Sequence, residues 1–412
     1  VETRFDTSFG SFELERWPLQ AESELRAWDN ADEYLLSAVS ELDVASGSVV
    51  VLNDAWGALG VALADRGPLW VSDSACARQA AVLNLERNGR SDSSLNLVGS
   101  FEELEPNVSL VVARLPRSRS MFEDQLRRLR PSLSEGAVVI AGAMSKDVHM
   151  STLRMMGRVI GSTTTSLARR RARLITSVWE SPSPGPWRWP QSFDGPDPEV
   201  RLCHHAGVFS EGGVDDGSAL LLSCVRVLAE DARILDLGCG DGVLGLTLAA
   251  RHRGAQVTFV DDSERAVESA RCSAAATADS LDRFEFIQAG KLFPEAEAPA
   301  GPDADPEANP VADVSAGPEA NPAGKSSTSG VVEPGSFDVV VINPPFHAGK
   351  ARGDHTAWQM FHEARRALRR GGEVWVVGNR HLGYHARLKR LFSRVEVAAS
   401  DQRFVVLRCT KR

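Results

Sequence analysis

Arg233-Ile-Leu-Asp236-Leu-Gly238-Cys-Gly240-Asp-Gly242-Val-Leu-Gly245-Leu-Thr-Leu-Ala249 reads as a buried strand, a glycine-rich turn and the opening of a helix. Glycines in such a turn let the backbone approach a ligand closely, and the helix N-terminus adds unpaired N–H groups and partial positive charge. Taken alone, Gly240 to Gly245 also satisfies G-x-G-x-x-G, a dinucleotide signature. Asp236 on the strand just before the glycines points elsewhere. A carboxylate there would repel a pyrophosphate and would suit the cationic amino-acid end of S-adenosylmethionine. On the next strand, Val257-Thr-Phe-Val-Asp261-Asp262, Asp261 stands where an acid can accept both ribose hydroxyl hydrogens. Asp261 or Asp262 could equally be the N-cap of the following helix.

Working outward, the same pattern occurs earlier. Ser48-Val-Val-Val-Leu-Asn-Asp-Ala-Trp-Gly-Ala-Leu-Gly60-Val-Ala-Leu-Ala64 parallels the quoted stretch, and each copy is followed by an apolar strand ending in acid and serine, Leu69 to Ser74 and Val257 to Ser263. Strands alternating with helices at this spacing indicate βαβ units and a mostly parallel sheet. The expected fold is therefore α/β, with two tandem Rossmann-like domains related by duplication. Prolines between 181 and 201 exclude a long helix or central strand there. That places the boundaries at 1–180, a linker at 181–201, and 202–412. Residues 294–335 are rich in Pro, Ala, Gly, Glu and Asp, repeat Pro-Glu-Ala-Asn-Pro, and are expected to be a disordered insertion in the second domain.

The 412 residues are 43% hydrophobic and 25% charged, enough to fill sizeable cores. No run approaches the ~20 apolar residues of a membrane span, and Val1 to Arg4 lacks the layout of a signal peptide, so the expectation is a cytoplasmic protein without membrane contact. Six cysteines without a CxxC pair are expected to be free thiols, and no convincing metal-ligand set emerges from the nine histidines. The net charge of -9 is unevenly spread. Glu295 to Asp338 holds nine acids against Lys325, whereas Arg114 to Ile175 carries 13 Lys/Arg against four acids and His347 to Arg412 carries 15 against five. Two basic regions sit inside an acidic average. Each could be a solvated helix face or a nucleic-acid surface.

Asn343-Pro344-Pro345-Phe346 follows the apolar strand Val339 to Ile342, where ligands bind beyond the carboxyl ends of strands in open α/β sheets. Stiff consecutive prolines can fix the Asn343 side-chain oxygen and the Pro344 carbonyl as two acceptors for an exocyclic base amine, with Phe346 stacking on the base. A plain β-turn would also begin with Asn-Pro.

With these motifs in place, the chain resembles class I S-adenosylmethionine-dependent methyltransferases that modify exocyclic amines. More narrowly, it is similar to ribosomal RNA guanine-N2 methyltransferases built from two tandem domains, and to the large-subunit (23S) enzymes more than the small-subunit (16S) ones. The similarity runs over nearly the whole chain, including Trp28 to Leu35, Ile140 to Ala143, Thr163 to Ala168, Gly207 to Ser210, Trp358 to Arg366 and Asn379 to Leu382. The insertion departs from the family pattern. The resemblance implies S-adenosylmethionine as cofactor, held by Phe209, Asp236, Gly238, Gly240, Asp261, Asp262 and Asn343. Asn343, Pro344, Pro345 and Phe346 would form the catalytic motif. The partner would be ribosomal RNA, naked or in an assembling subunit, met by a monomer that needs no metal.

In the first copy, Val51, Asn53 and Ala55 stand where the second has Asp236, Gly238 and Gly240, and Arg114-Leu-Pro-Arg117 replaces the catalytic motif. Its cofactor site is expected to be lost, leaving a non-catalytic, RNA-gripping half. Three other readings stay open: a small-subunit 16S rRNA guanine-N2 methyltransferase, a protein glutamine methyltransferase, since a side-chain amide also suits two acceptors, and a non-enzymatic RNA-binding assembly factor.

Overall fold

A computed structural model describes residues 2–18, 25–42, 47–210, 212–225, 228–293, 331–345 and 350–412. The expected disorder falls mostly on 294–330, outside the described residues.

Two seven-stranded sheets share one topology. In the second, the spatial order is Phe284–Gln288, Gln256–Asp261, Arg233–Leu237, Phe337–Ile342, Leu368–Asn379, Phe404–Thr410 and Arg394–Ser400. In the first it is Asn96–Val98, Leu69–Val71, Ser48–Leu52, Val108–Arg114, Leu133–Met144, Ala172–Val178 and Thr163–Thr165. The first five strands of each are parallel and the last two antiparallel. Ile234, Leu235, Val340 and Val341 are fully buried, as befits central strands covered on both faces. Each glycine turn opens a helix, Val243–Arg251 and Ala58–Ala62, whose N-cap glycine has a left-handed backbone, φ 82° at both Gly242 and Gly57.

The helix lies close on its sheet because its first turn contains Gly245. A Cβ there would come within 2.5 Å of Phe259 Cε1, and one on the equivalent Gly60 within 2.9 Å of Trp70 Cδ1. The duplication expected from the sequence is thus carried into side-chain packing. The proline-rich stretch contains one short strand, Gln191–Asp194, forming a hairpin with Arg201–His204. Contrary to the expectation of free thiols, Cys203 and Cys272 form a disulfide. Helix Glu264–Thr277 lies against that hairpin, so a separation of 69 residues closes to a Cα–Cα distance of 5.6 Å. Among the described residues, no helix is long and apolar enough to cross a membrane.

Candidate active site

A cavity of about 590 Å³ lies beyond the carboxyl ends of the second sheet. Its walls include Phe209, Gly238, Gly240, Asp261, Asp262, Asn343, Pro344 and Pro345, so most residues singled out in the sequence converge there. Phe346 lies outside the described residues.

The glycine loop is shaped by the groups below it. Gly238 has φ 74°, and a Cβ on it would meet Met360 Cε at 2.9 Å, so glycine is required on both counts. Asp236 is buried beneath the loop and does not reach the cavity wall. Its Oδ2 accepts the Gly245 N–H at 2.8 Å, while Oδ1 is buried without a partner among the described residues. Burial pushes its carboxyl well above the usual range. Asp241, inside the loop, is tethered by His204 Nε2 at 2.5 Å.

Asp261 Oδ2 accepts the Gly240 N–H at 3.0 Å and Oδ1 the Ser263 N–H at 2.9 Å. Burial raises its pKa to about 6. Neither Asp261 nor Asp262 caps the helix that follows. That role belongs to Ser263, whose Oγ accepts the Ala266 N–H at 3.1 Å. Asp262 instead receives the Ser74 hydroxyl at 2.6 Å and the Cys76 N–H at 2.7 Å, both from the first domain. Phe209 is 53% exposed at the cavity mouth.

Asn343 ends strand Phe337–Ile342. Its Nδ2 donates to both oxygens of Asp215 at 3.3 Å and to Ser218 Oγ at 3.0 Å. An ionised carboxylate can only accept, so the amide is held with its nitrogen toward Asp215. Its Oδ1 is buried and has no partner among the described residues. This leaves a fixed, unsatisfied acceptor beside the cavity.

The first copy shows the same positions closed. Arg114, equivalent to Asn343, makes a bidentate pair with Asp29 at 2.8 Å and a second contact to Asp32 at 2.6 Å. Asn53, with φ 60°, stands for Gly238 and is tied to Gln125 and the Arg114 carbonyl. Asp54 Oδ2 takes the Leu59 and Gly60 N–H groups at 2.9 Å, doing from the loop what Asp236 does from the strand.

Several cavity residues carry no local sequence signature. Asp215 and Ser218 are readable as the start of a helix but not as partners of a residue 128 and 125 positions away. Glu363, whose pKa burial raises to about 7, accepts the Leu292 N–H at 3.0 Å on the cavity wall. Arg16, Trp17, Pro18 and Trp56 reach the cavity from the first domain.

The doubled sheet order and the glycine loop define a class I methyltransferase fold used twice. The RLMG N-terminal domain profile matches residues 2–181, and the Methyltransferase small domain profile matches 199–290 and 318–408. Ribosomal RNA large subunit methyltransferase G of Streptomyces griseus is 41% identical over 99% of this chain and 100% of its own. The protein of that name from Klebsiella pneumoniae is 37% identical over 97% and 96%. The solved T. thermophilus 16S rRNA N2 G1207 methyltransferase, in complex with AdoMet and guanosine, superposes with a TM-score of 0.72 at 22% identity over 100% of this chain and 98% of its own, a likeness of fold. The chain belongs to the ribosomal RNA large subunit methyltransferase G family.

Proposed function

We propose that the second domain methylates the exocyclic N2 amine of a guanine in 23S ribosomal RNA, using S-adenosylmethionine, and that the first domain grips the RNA. The observation that carries this reading is the Asn343 Oδ1 acceptor, buried, without a partner among the described residues, and locked in orientation by Asp215 and Ser218. The residues present fit the cofactor. Asp261 is a cavity-wall carboxylate whose raised pKa hydroxyl donors would relieve, and on the same wall a Cβ at Gly240 would meet nothing within 4 Å, so the loop backbone is open to a ligand; Asp236, expected to meet the cofactor's amino-acid end, instead lies under the loop and holds it through Gly245. When bound, the cofactor supplies a methyl group activated by its sulfonium.

The protein's own contribution is alignment. Asn343 Oδ1 accepts one N–H of the base amine, which holds the nitrogen in place and leaves its second N–H for the Pro344 carbonyl. Buried Pro344 and its neighbour Pro345 stiffen that edge. Holding the reactants in an attack geometry and excluding water is sufficient to account for a large part of a barrier of this kind.

Exposed Arg117, Arg119, Lys146, Arg154, Arg169 and Arg171 give the first domain a basic surface suited to phosphates. Other arginines of that region serve the fold, such as Arg127 and Arg128, paired with Glu123 and Asp124. The domains divide as 1–180 for RNA and 202–412 for catalysis, joined by 181–201, in a cytoplasmic monomer. Identities of 37–41% to large-subunit enzymes, against 22% to the 16S enzyme, favour 23S as the substrate.

The test is incubation with methyl-labelled cofactor and rRNA from a strain lacking the gene, as naked RNA and as assembling particles. Label recovered as N2-methylguanosine in 23S rRNA is expected. Label in 16S rRNA or on protein, or saturable cofactor binding with no transfer, overturns the assignment.

A further inference from the structure

We infer that the first domain completes the cofactor site, with Trp17 forming the wall at its adenine end. This rests on the cofactor reading above and goes beyond the RNA-gripping role.

The edge of the sheet sets the direction. Moving outward from strand Arg233–Leu237 through Gln256–Asp261 to Phe284–Gln288, the cavity passes from the glycine loop to Asp261 and then to Ala289 and Gly290. A nucleoside whose ribose meets Asp261 therefore places its base near Gly290. There Leu292, Gln359 and Glu363 of the second domain share the cavity wall with Trp17 and Pro18 of the first. A Cβ on Gly290 would collide with Cys76 Sγ of the first domain, so the two domains touch at that point with no room to spare. Beside it, Lys291 Nζ lies 5.2 Å from the centre of the Trp17 ring, and Trp17 is half-buried on the cavity wall. Arg16 stacks on Trp56 at 4.1 Å behind it.

The contact is rigidly set. Asp262, next to the ribose acceptor, is fixed by Ser74 and Cys76, and Gln288 Nε2 donates to the carbonyls of both Asp73 and Asp262 at 2.9 and 3.0 Å. A purine at this end meets an aromatic ring from a domain that has lost its own cofactor site. The ligand class is an adenine nucleoside, and the inactive copy is a structural part of the pocket that binds it.

The test uses the full chain and isothermal titration with S-adenosylhomocysteine and with 5′-methylthioadenosine, which lacks the amino-acid end. Trp17→Ala is expected to weaken both ligands about tenfold and by the same factor, the loss of one base–aromatic contact. Trp17→Phe is expected to stay near wild type, and near-wild-type binding by this variant shows that the site tolerates substitution at Trp17. Equal affinity of Trp17→Ala and wild type for both ligands overturns the composite site while leaving the cofactor reading intact. Failure of the wild-type chain to bind either ligand overturns both.

Discussion

Asp73 and Asp262 occupy equivalent places in the two copies, and each accepts an N–H from the first turn of the helix that follows the other, beside that helix's own serine cap. Asp73 Oδ2 receives the Ser263 hydroxyl at 2.5 Å and Oδ1 the Arg265 N–H at 2.9 Å, and Asp262 receives Ser74 and Cys76 in the same way at 2.6 and 2.7 Å. Their carbonyls repeat the exchange, taking the Glu264 and Ala75 N–H groups at 2.8 and 2.9 Å. Six hydrogen bonds thus join the domains about a local two-fold. Unpaired N–H groups at a helix start favour a carboxylate, so each domain stabilises the other's helix.

Asp73→Ala removes acceptors from the second domain's helix, among them the one that holds the Ser263 hydroxyl on the cavity wall. A loss of about 1–2 kcal/mol is expected, in the range for a cap. Calorimetry should show a Tm lower by a few degrees, and adding Asp262→Ala should cost less than the sum of the singles, because both act on one interface.

Arg265 and Asp124 form a second tie between the domains. Arg265 is 1% exposed, and its Nη1 contacts Asp124 Oδ2 at 2.5 Å. Asp124→Ala leaves the guanidinium buried without its carboxylate, and about 3–5 kcal/mol should be lost. Denaturant unfolding measures it. A loss below 1 kcal/mol would show that the arginine finds water or another partner.

Asp215 acts on the reaction through Asn343. In Asp215→Asn the new amide can donate as well as accept, so the Asn343 amide can turn its nitrogen to the cavity. The expected result is a kcat about 10–100-fold lower, the scale of a misplaced catalytic group. Substrate KM should change much less. A proportionate loss in KM with kcat intact would make Asp215 a binding residue instead.

Cofactor affinity should depend on pH through Asp261. Its pKa is raised to about 6 by burial, so in the ligand-free protein it is protonated below that pH and ionised above it. Ribose hydroxyls donate to the ionised form, so affinity for S-adenosylhomocysteine should rise from pH 5 to 7 and then level off. The sign for stability is opposite. A raised native pKa contributes stability present below the unfolded value of 3.8 and lost as pH rises through about 6. Glu363 titrates nearby at about 7, and Asp261→Asn separates the two by removing the lower step.

The acidic insertion leaves and re-enters at one place, since Val331 N–H donates to the Leu292 carbonyl at 2.7 Å. Replacing 296–329 by a short Gly/Ser loop should therefore leave both folding and methyl transfer within about twofold of wild type, given the small dependence of closure entropy on loop length. Loss of transfer in a folded deletion protein would assign the segment a role in substrate binding.

What the sequence made legible was local. Strand, glycine turn and helix are contiguous, and so are the apolar run and Asn343-Pro344-Pro345, so their periodicity and turn chemistry survive in one dimension. Duplication doubled that signal, and the change from Asn343 to Arg114 marked the copy in which that position is closed by the pair with Asp29. What stayed hidden needed the chain to fold back on itself. Asp215 meets Asn343 across 128 residues, Ser74 meets Asp262 across 188, and Cys203 finds Cys272 only when a hairpin lies against a helix. Asp262 illustrates the difference. Its place after Asp261 pointed to the cavity, whose wall it joins, but not to the Ser74 hydroxyl and Cys76 N–H that it receives from the other domain.

The measurement that bears most directly on the central claim is single-turnover methyl transfer to 23S rRNA by wild type and Asn343→Ala, each saturated with cofactor, with N2-methylguanosine quantified. Wild type should form it at one site, and Asn343→Ala, at cofactor concentrations set to saturate it, should be slower by about two orders of magnitude. An Asn343→Ala protein that forms N2-methylguanosine at the wild-type rate would contradict the assignment of that buried oxygen as the acceptor that orients the guanine amine.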